Sequence, residues 1–166
     1  MGYHSPVLLN ECIEGLNIKP TGIYVDVTFG GGGHSKEIMK HLDGGKLFAF
    51  DQDADAHKNN LEQDGFKLID ANFSYLRNFL RMEGVKKVDG ILADLGVSSH
   101  QFDVAERGFS TRFEGELDMR MNSKSDLSAK EIVNNYSEEN LANVLYKYGE
   151  LKNSRRIARE IVNARQ

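Results

Sequence analysis

The stretch YVDVTFGGGGHS, residues 24–35, decides how this chain folds. It reads as a buried strand that breaks at four glycines, Gly30 to Gly33, and opens into a helix at His34. A second strand follows in KLFAFDQD, residues 46–53, and ends in a carboxylate, Asp51. Glycine carries no Cβ, so the backbone can turn sharply and come close to a ligand. An acid at the end of the next strand is placed to bind the two hydroxyls of a ribose. Together these features predict a pocket for a cofactor that contains a nucleoside.

The spacing narrows the choice of cofactor. A dinucleotide loop needs glycines at its first, third and sixth positions. Counted from Gly30 the sixth position is Ser35, and counted from Gly31 it is Lys36. Neither register fits, which disfavours a nucleotide-dependent oxidoreductase. Asp26, Gly30 and Gly32 instead form an Asp-x-x-x-Gly-x-Gly pattern that suits S-adenosylmethionine, which has no pyrophosphate to cradle. Glycine clusters also occur in plain tight turns. Asp51, about twenty residues on and in the right strand, weighs against that simpler reading.

Strands and helices alternate outward from this point. Strands are predicted at 23–28, 46–51, 66–70 and 88–94, with helices near 34–42, 54–63 and 74–82 between them. That order implies an α/β protein with a parallel sheet and right-handed crossovers. The strands end in Asp26, Asp51, Asp70 and Asp94, on the edge where such sheets bind ligands. Residues 6–16, PVLLNECIEGL, have the apolar spacing of a helix packed on the sheet. After Gly96 the strand signal stops, and residues 97–122 read as a loop rich in Gly, Arg, Phe and Met. Helices follow near 128–134, 137–147 and 150–164, with Ser128 and Ser137 as N-caps. Strand 88–94 is left with a bare edge, an association hazard. Either the chain is a fragment, or the helical tail or another molecule covers that edge, a homodimer through the edge or the tail included.

Composition sets the broad class. A chain of 166 residues suffices for one domain with an appendage. Its 40% hydrophobic and 28% charged content is ordinary for a globular protein. Cys12 is the only cysteine, so no internal disulfide forms. The N-terminal residues lack a basic segment followed by an apolar run, and no stretch approaches membrane-spanning length. A cytoplasmic protein is expected, with no membrane partner and no metal site. The net charge of −4 argues against nonspecific nucleic-acid binding by the whole surface. Residues 144–166, however, hold six basic and two acidic side chains. Such a helix either meets phosphates or is a solvated face.

The motifs HSPVLLNE (4–11), DVTFGGGGHS (26–35), AFDQD (49–53), DGILADLGVSS (89–99), AERGFS (105–110) and LDMRM (117–121) together carry a family likeness. They resemble the bacterial small-subunit (16S) ribosomal RNA cytosine-N4 methyltransferases, over essentially the whole chain. The resemblance implies a Rossmann-like S-adenosylmethionine-dependent domain over residues 1–101. It also implies a helical insertion over 102–166, for substrate recognition, with both parts incomplete. Family members are nearly twice as long, so the chain is expected to be an N-terminal half. By the same resemblance, Gly32, Gly33 and His34 contact the cofactor and Asp51 binds the ribose. Phe73 packs near the adenine, and Asp94 and Gln101 complete the site. Read from the residues alone, Phe73 is equally a core residue and His34 equally a helix N-cap. His100 replaces a usual proline, and LKNSRR (151–156) lacks a usual aromatic before the arginines. A relative that binds cofactor or RNA without catalysis is the alternative.

The chemistry implied is an in-line displacement, in which the protein mainly positions and desolvates. The exocyclic amine of cytosine is a poor nucleophile because its lone pair is delocalised. Asp94 is either the acceptor that localises that pair or a cofactor ligand. Ser98 and Ser99 are further candidates, though loop hydrogen bonding explains either. Methylation at pyrimidine carbon 5 needs a thiolate that adds to the ring. Cys12, in a helix with no base beside it, reads better as a small apolar residue. The target base must be single-stranded or flipped. Arg107, Arg112 and Arg120 interleave with Phe109 and Phe113 as RNA-stacking sites do, or else order the loop. Arg107, Phe109 and Arg112 are the candidate RNA contacts.

Overall fold

The computed structural model describes residues 6–165. Its four strands are β1 (Ile23–Asp26), β2 (Lys46–Asp51), β3 (Phe66–Asp70) and β4 (Gly90–Leu92). They pair in the order β3-β2-β1-β4, all parallel. Apolar runs such as Leu47–Phe50 suit a strand covered on both faces. Alternate side chains then reach opposite layers. Val25, Phe48, Phe50 and Ile69 pack under helix α3 (Leu76–Met82), and Phe50 meets Phe79 edge-on at 6.0 Å. Tyr24, Leu47 and Leu92 pack on the other side, with α1 (Leu9–Leu16) and α2 (Gly33–Lys40). Each apolar side chain so buried contributes about 1.5–3 kcal/mol. This is the α/β, Rossmann-like arrangement expected from the alternation of elements.

The strand order fixes where a ligand can go. From β1 the chain adds β2 and β3 on one side, then crosses back to place β4 on the other. The crevice beyond the carboxyl ends of β1 and β4 is therefore a topological switch point, the usual binding place in open α/β sheets. Among the described residues β4 pairs with β1 alone.

Several elements differ from expectation. Residues 54–63 do not form an α-helix, only a 3-10 turn at Ala56–Asn59. There the His57 ring meets the Asp51 carbonyl at 2.9 Å, and Asn59 Nδ2 donates to the carbonyls of Gly30 and Ala56. Side chains that bond the backbone compete with a helical ladder, and Asn60 then leaves in an extended conformation. Strands β1 and β4 stop earlier than expected, where side-chain bonds of Asp26 and Thr28 replace the ladder. Within the expected loop lie a short helix α4 (Ser99–Asp103) and a 3-10 turn at Ala105–Arg107.

The chain divides into two compact units, Met1–Ser99 with Met121–Ser123 and His100–Arg120 with Lys124–Gln166. The second holds α5 (Ala129–Asn135), α6 (Glu138–Lys147) and α7 (Ser154–Ala164). Leu141, Ala142 and Ala158 form its core, with Ile132, Tyr136, Leu145 and Ile161 packed against them. Both serine caps form: Ser128 Oγ accepts from the Glu131 N–H and Ser137 Oγ from the Asn140 N–H, each at 3.2 Å. Helix α7 begins at Ser154 rather than 150, because Glu150 adopts a left-handed conformation (φ 54°). Arg165 closes the end of α5 by donating to the carbonyls of Val133 and Tyr136.

Candidate cofactor site

Asp26 ends β1 and is almost wholly buried. A buried carboxylate needs donors, and here Ser35 and Thr28 supply them. Ser35 Oγ of α2 donates to Oδ2 at 2.7 Å, and the Thr28 N–H donates to Oδ1 at 3.0 Å. Thr28 Oγ1 approaches the same oxygen at 3.4 Å and itself accepts from the Asp94 N–H at 2.8 Å. Burial pushes the Asp26 carboxyl above the usual carboxylate range, against the opposing pull of the Ser35 and Thr28 hydrogen bonds. The loop after β1 and helix α2 thus meet at Asp26, and the segment after β4 joins them through Thr28.

The glycine loop is held from β2. Gly30 (φ 51°) and Gly32 (φ 75°) take left-handed conformations that favour glycine. The Gly32 N–H donates to the Phe29 carbonyl at 2.8 Å, which closes the turn before α2. Asp51 accepts from the Gly30 N–H at 2.8 Å through Oδ2 and from the Asp53 N–H at 2.9 Å through Oδ1. Helix α2 opens at Gly33, with Gly32 at its N-cap. A side chain on Gly33 would run into the ring of Pro6, so the N-terminal segment lies against this glycine. His34 is buried, with Nε2 3.1 Å from the Val7 carbonyl, and its ring caps nothing. Phe73 stands 45% exposed just beyond β3 and is not a core residue. Its turn is fixed by Asn72, which accepts from the Ser74 N–H and donates to Gln52 after β2.

These residues fit the cofactor that the sequence implies. A ribose hydroxyl donates, and Asp51 only accepts; each of its oxygens keeps acceptor capacity beyond its one backbone bond. A Cβ on Gly30 would meet nothing nearer than the Thr28 carbonyl at 4.0 Å, so the space over the loop is open. Asp94 is exposed at the same carboxyl edge. Asp51, the glycine loop and Asp94 are joined through Thr28 and Asp26, and Phe73 adjoins through Asn72 and Gln52. Sequence reasoning placed Asp26 in the glycine pattern and at a strand end but did not foresee its bonds to Thr28 and Ser35, and it missed Thr28, Ser35 and Asn59. Ser35, nine residues from Asp26 on the first turn of the next helix, was the available signal.

The model of the MraW methylase family matches residues 1–166. The chain belongs to that family. Proteins named ribosomal RNA small subunit methyltransferase H are among its relatives. One from Flavobacterium johnsoniae is 64% identical over 99% of this chain and 55% of its own length. One from Christiangramia forsetii is 60% identical, covering 100% and 55% respectively. One from Phocaeicola vulgatus is 62% identical, covering 98% and 54%. The chain therefore spans about half the length of the curated relatives it matches.

Of the remaining residues predicted for this methylase-family chain, Cys12, Ser98 and Ser99 lie in the first unit and the others in the second. Gln101 is buried in α4. Arg107 is half-buried, donates to the Arg120 carbonyl at 2.8 Å and lies 5.8 Å from the Phe109 ring. Arg112 is exposed, pairs with Asp103 at 3.0 Å and sits 5.6 Å from the Phe113 ring. Arg120 grips both oxygens of Asp118, at 2.9 and 2.6 Å, and donates to the Ser125 carbonyl. Hydrogen bonds from Arg120 hold the Asp118 carboxyl below its ordinary range. Cys12 is half-buried in α1 against the Tyr24 cluster, as a small apolar residue would be. Among the described residues no helix is long and apolar enough to cross a membrane, and no cluster of metal-ligating side chains is present.

Proposed function

We propose that this chain carries the cofactor-binding part of an S-adenosylmethionine-dependent methyltransferase that acts on N4 of a cytidine in small-subunit (16S) ribosomal RNA. The observation that carries this reading is the Asp51 carboxylate holding Gly30 at the switch point of a parallel sheet, in a chain of the MraW methylase family. S-adenosylmethionine, when bound, supplies an electrophilic methyl group. Asp51 accepts the ribose hydroxyls, and the exposed ring of Phe73 offers a face to the adenine, worth on the order of 1 kcal/mol beyond area burial. Gly32, Gly33, His34 and Gln101 are the further contacts implied by the family likeness. Asp94, exposed and anchored by its own N–H, accepts from the cytosine amine or binds the cofactor. Nitrogen rather than carbon is the target, because Cys12 packs in α1 with no base to activate it.

Residues 102–166 serve substrate recognition, with Arg107, Phe109 and Arg112 as RNA contacts. Arg112 is the better placed of the two arginines, since Arg107 is committed to the Arg120 carbonyl. The proposed partner is the RNA of the small subunit rather than a second copy of the chain, and the proposed compartment is the cytoplasm. Titration of the purified chain with S-adenosylmethionine in a calorimeter tests the reading. Saturable binding that Asp51→Ala abolishes supports it; no binding overturns the assignment of a complete cofactor site to these residues. Cofactor binding without methyl incorporation into small-subunit RNA would favour a relative that binds but does not catalyse.

A further inference from the structure

Helix α7 has two unlike sides. Ser154 and Ala158 are buried and Ile161 and Arg165 half-buried on one. Arg155, Arg156 and Arg159 stand exposed on the other, and Lys152 is exposed in the turn before the helix. Among the described residues, Lys152, Arg155 and Arg156 make no ion pair, and Arg159 makes one exposed contact, with Glu138 at 3.4 Å. Local electrostatics oppose this placement. Two arginines occupy the first turn of α7, where the helix dipole disfavours cations, with no acid there to offset them. Arg155 and Arg159 are also four residues apart and repel each other along the helix, whereas Arg156 has the exposed Glu160 four residues on. The turn leading into α7 carries two exposed aromatics at the end of α6, Tyr146 at 62% and Tyr148 at 83% exposure.

From this arrangement we infer that the turn between α6 and α7, with the outward side of α7, is a docking surface for single-stranded RNA. Lys152, Arg155 and Arg156 meet phosphates and Tyr148 stacks on a base. A cationic track beside exposed aromatic rings is the composition that single-stranded binding uses. A phosphate also supplies the external negative charge that the first turn of α7 lacks. The inference rests on the proposed reading of an RNA substrate, and it adds a surface separate from Arg107 and Arg112.

The test is anisotropy of a labelled single-stranded RNA with the full chain, over about 50–200 mM salt. Lys152→Gln, Arg155→Gln and Arg156→Gln together remove charge but keep helix-forming side chains. The expected result is an affinity loss of at least about tenfold at low salt and a log–log salt slope shallower by about 2, near 0.7 per lost contact. Restoring charge with Arg155→Lys and Arg156→Lys recovers the slope. Tyr148→Ala lowers affinity about tenfold with the slope unchanged. Equal RNA binding by the triple variant and the parent, both shown folded by urea titration, overturns the inference. So does equally tight binding of an acidic peptide, which would assign the surface to a protein partner. Cofactor titration is run in parallel. Loss of cofactor binding in the parent defeats the proposed function, whereas an unaltered RNA slope with cofactor binding intact defeats this surface alone.

Discussion

The N–H of Gly30 donates to the carboxylate of Asp51 at 2.8 Å, across a separation of 21 residues. The glycine turn and the predicted ribose acid are therefore one mechanical unit, because the side chain proposed to bind the sugar also sets the loop. In Asp51→Asn the amide presents a donor to either Gly30 or Asp53, and one backbone N–H loses its acceptor. Hydrogen bonds to charged groups contribute about 1.5–3 kcal/mol. Stability measured by urea should fall by about that amount, and the Gly30 amide should exchange with solvent much faster. Unchanged exchange at Gly30 would show that the loop holds itself.

Asp26 combines burial with an upward-shifted carboxyl. A carboxyl raised in the folded state favours folding fully below its unfolded pKa, near ~3.9, and loses that contribution as pH rises through the folded value. Asp26→Asn removes this titration and still offers an acceptor to Thr28 and a donor to Ser35. Chemical denaturation across pH should show the parent gaining on the Asp26→Asn protein as pH falls toward the unfolded value. Parallel profiles would mean that Asp26 titrates normally. Asp26→Ala, which strands buried donors, should cost about 2–3 kcal/mol at neutral pH.

Gly33 meets the Pro6 ring wherever a Cβ would project. Gly33→Ala should therefore destabilise by about 1–3 kcal/mol through overpacking, although its backbone angle suits any residue. Pairing it with Pro6→Ala, which vacates the space, should recover most of the loss in thermal denaturation. No recovery would place the strain elsewhere.

Thr28 links Asp26 to the backbone of Asp94. Thr28→Val keeps the shape but removes the acceptor, so the Asp94 N–H loses its partner at a cost of about 1 kcal/mol. Cofactor affinity should weaken in that variant and return in Thr28→Ser. Equal affinity in both would separate Asp94 placement from binding.

Arg120 holds Asp118 below its ordinary pKa through a two-pronged contact. A lowered carboxyl stabilises above the unfolded pKa and loses that contribution as pH falls through the folded one. The parent should thus lose stability relative to Arg120→Lys in acid, below about pH 4, because lysine cannot reproduce the fork. Superimposable acid profiles would show that the pair contributes nothing.

Much of the fold was legible because its signals are local. The apolar run of Leu47–Phe50 reads as a covered strand without knowledge of its neighbours. Ser128 and Ser137 read as caps because a cap involves residues three apart in sequence. The segment at 54–63 was not legible: His57 and Asn59 bond to carbonyls of Asp51 and Gly30, which a reading of local propensity does not see. The N-cap reading of His34 failed for the same reason, since its ring meets the Val7 carbonyl, 27 residues away.

By itself the amino-acid sequence determined the parallel α/β order, the glycine turn and the row of strand-end acids, since period, turn chemistry and strand ends are all written in neighbouring residues. Only the tertiary structure decided that Asp26 ties the loop after β1 to helix α2 and that Asp94 hangs from Thr28, 66 residues away. That bond exists because β1 and β4 lie side by side in register, with Asp26 opposite Leu92. No local pattern specifies which distant strand becomes the neighbour; packing of the whole sheet does.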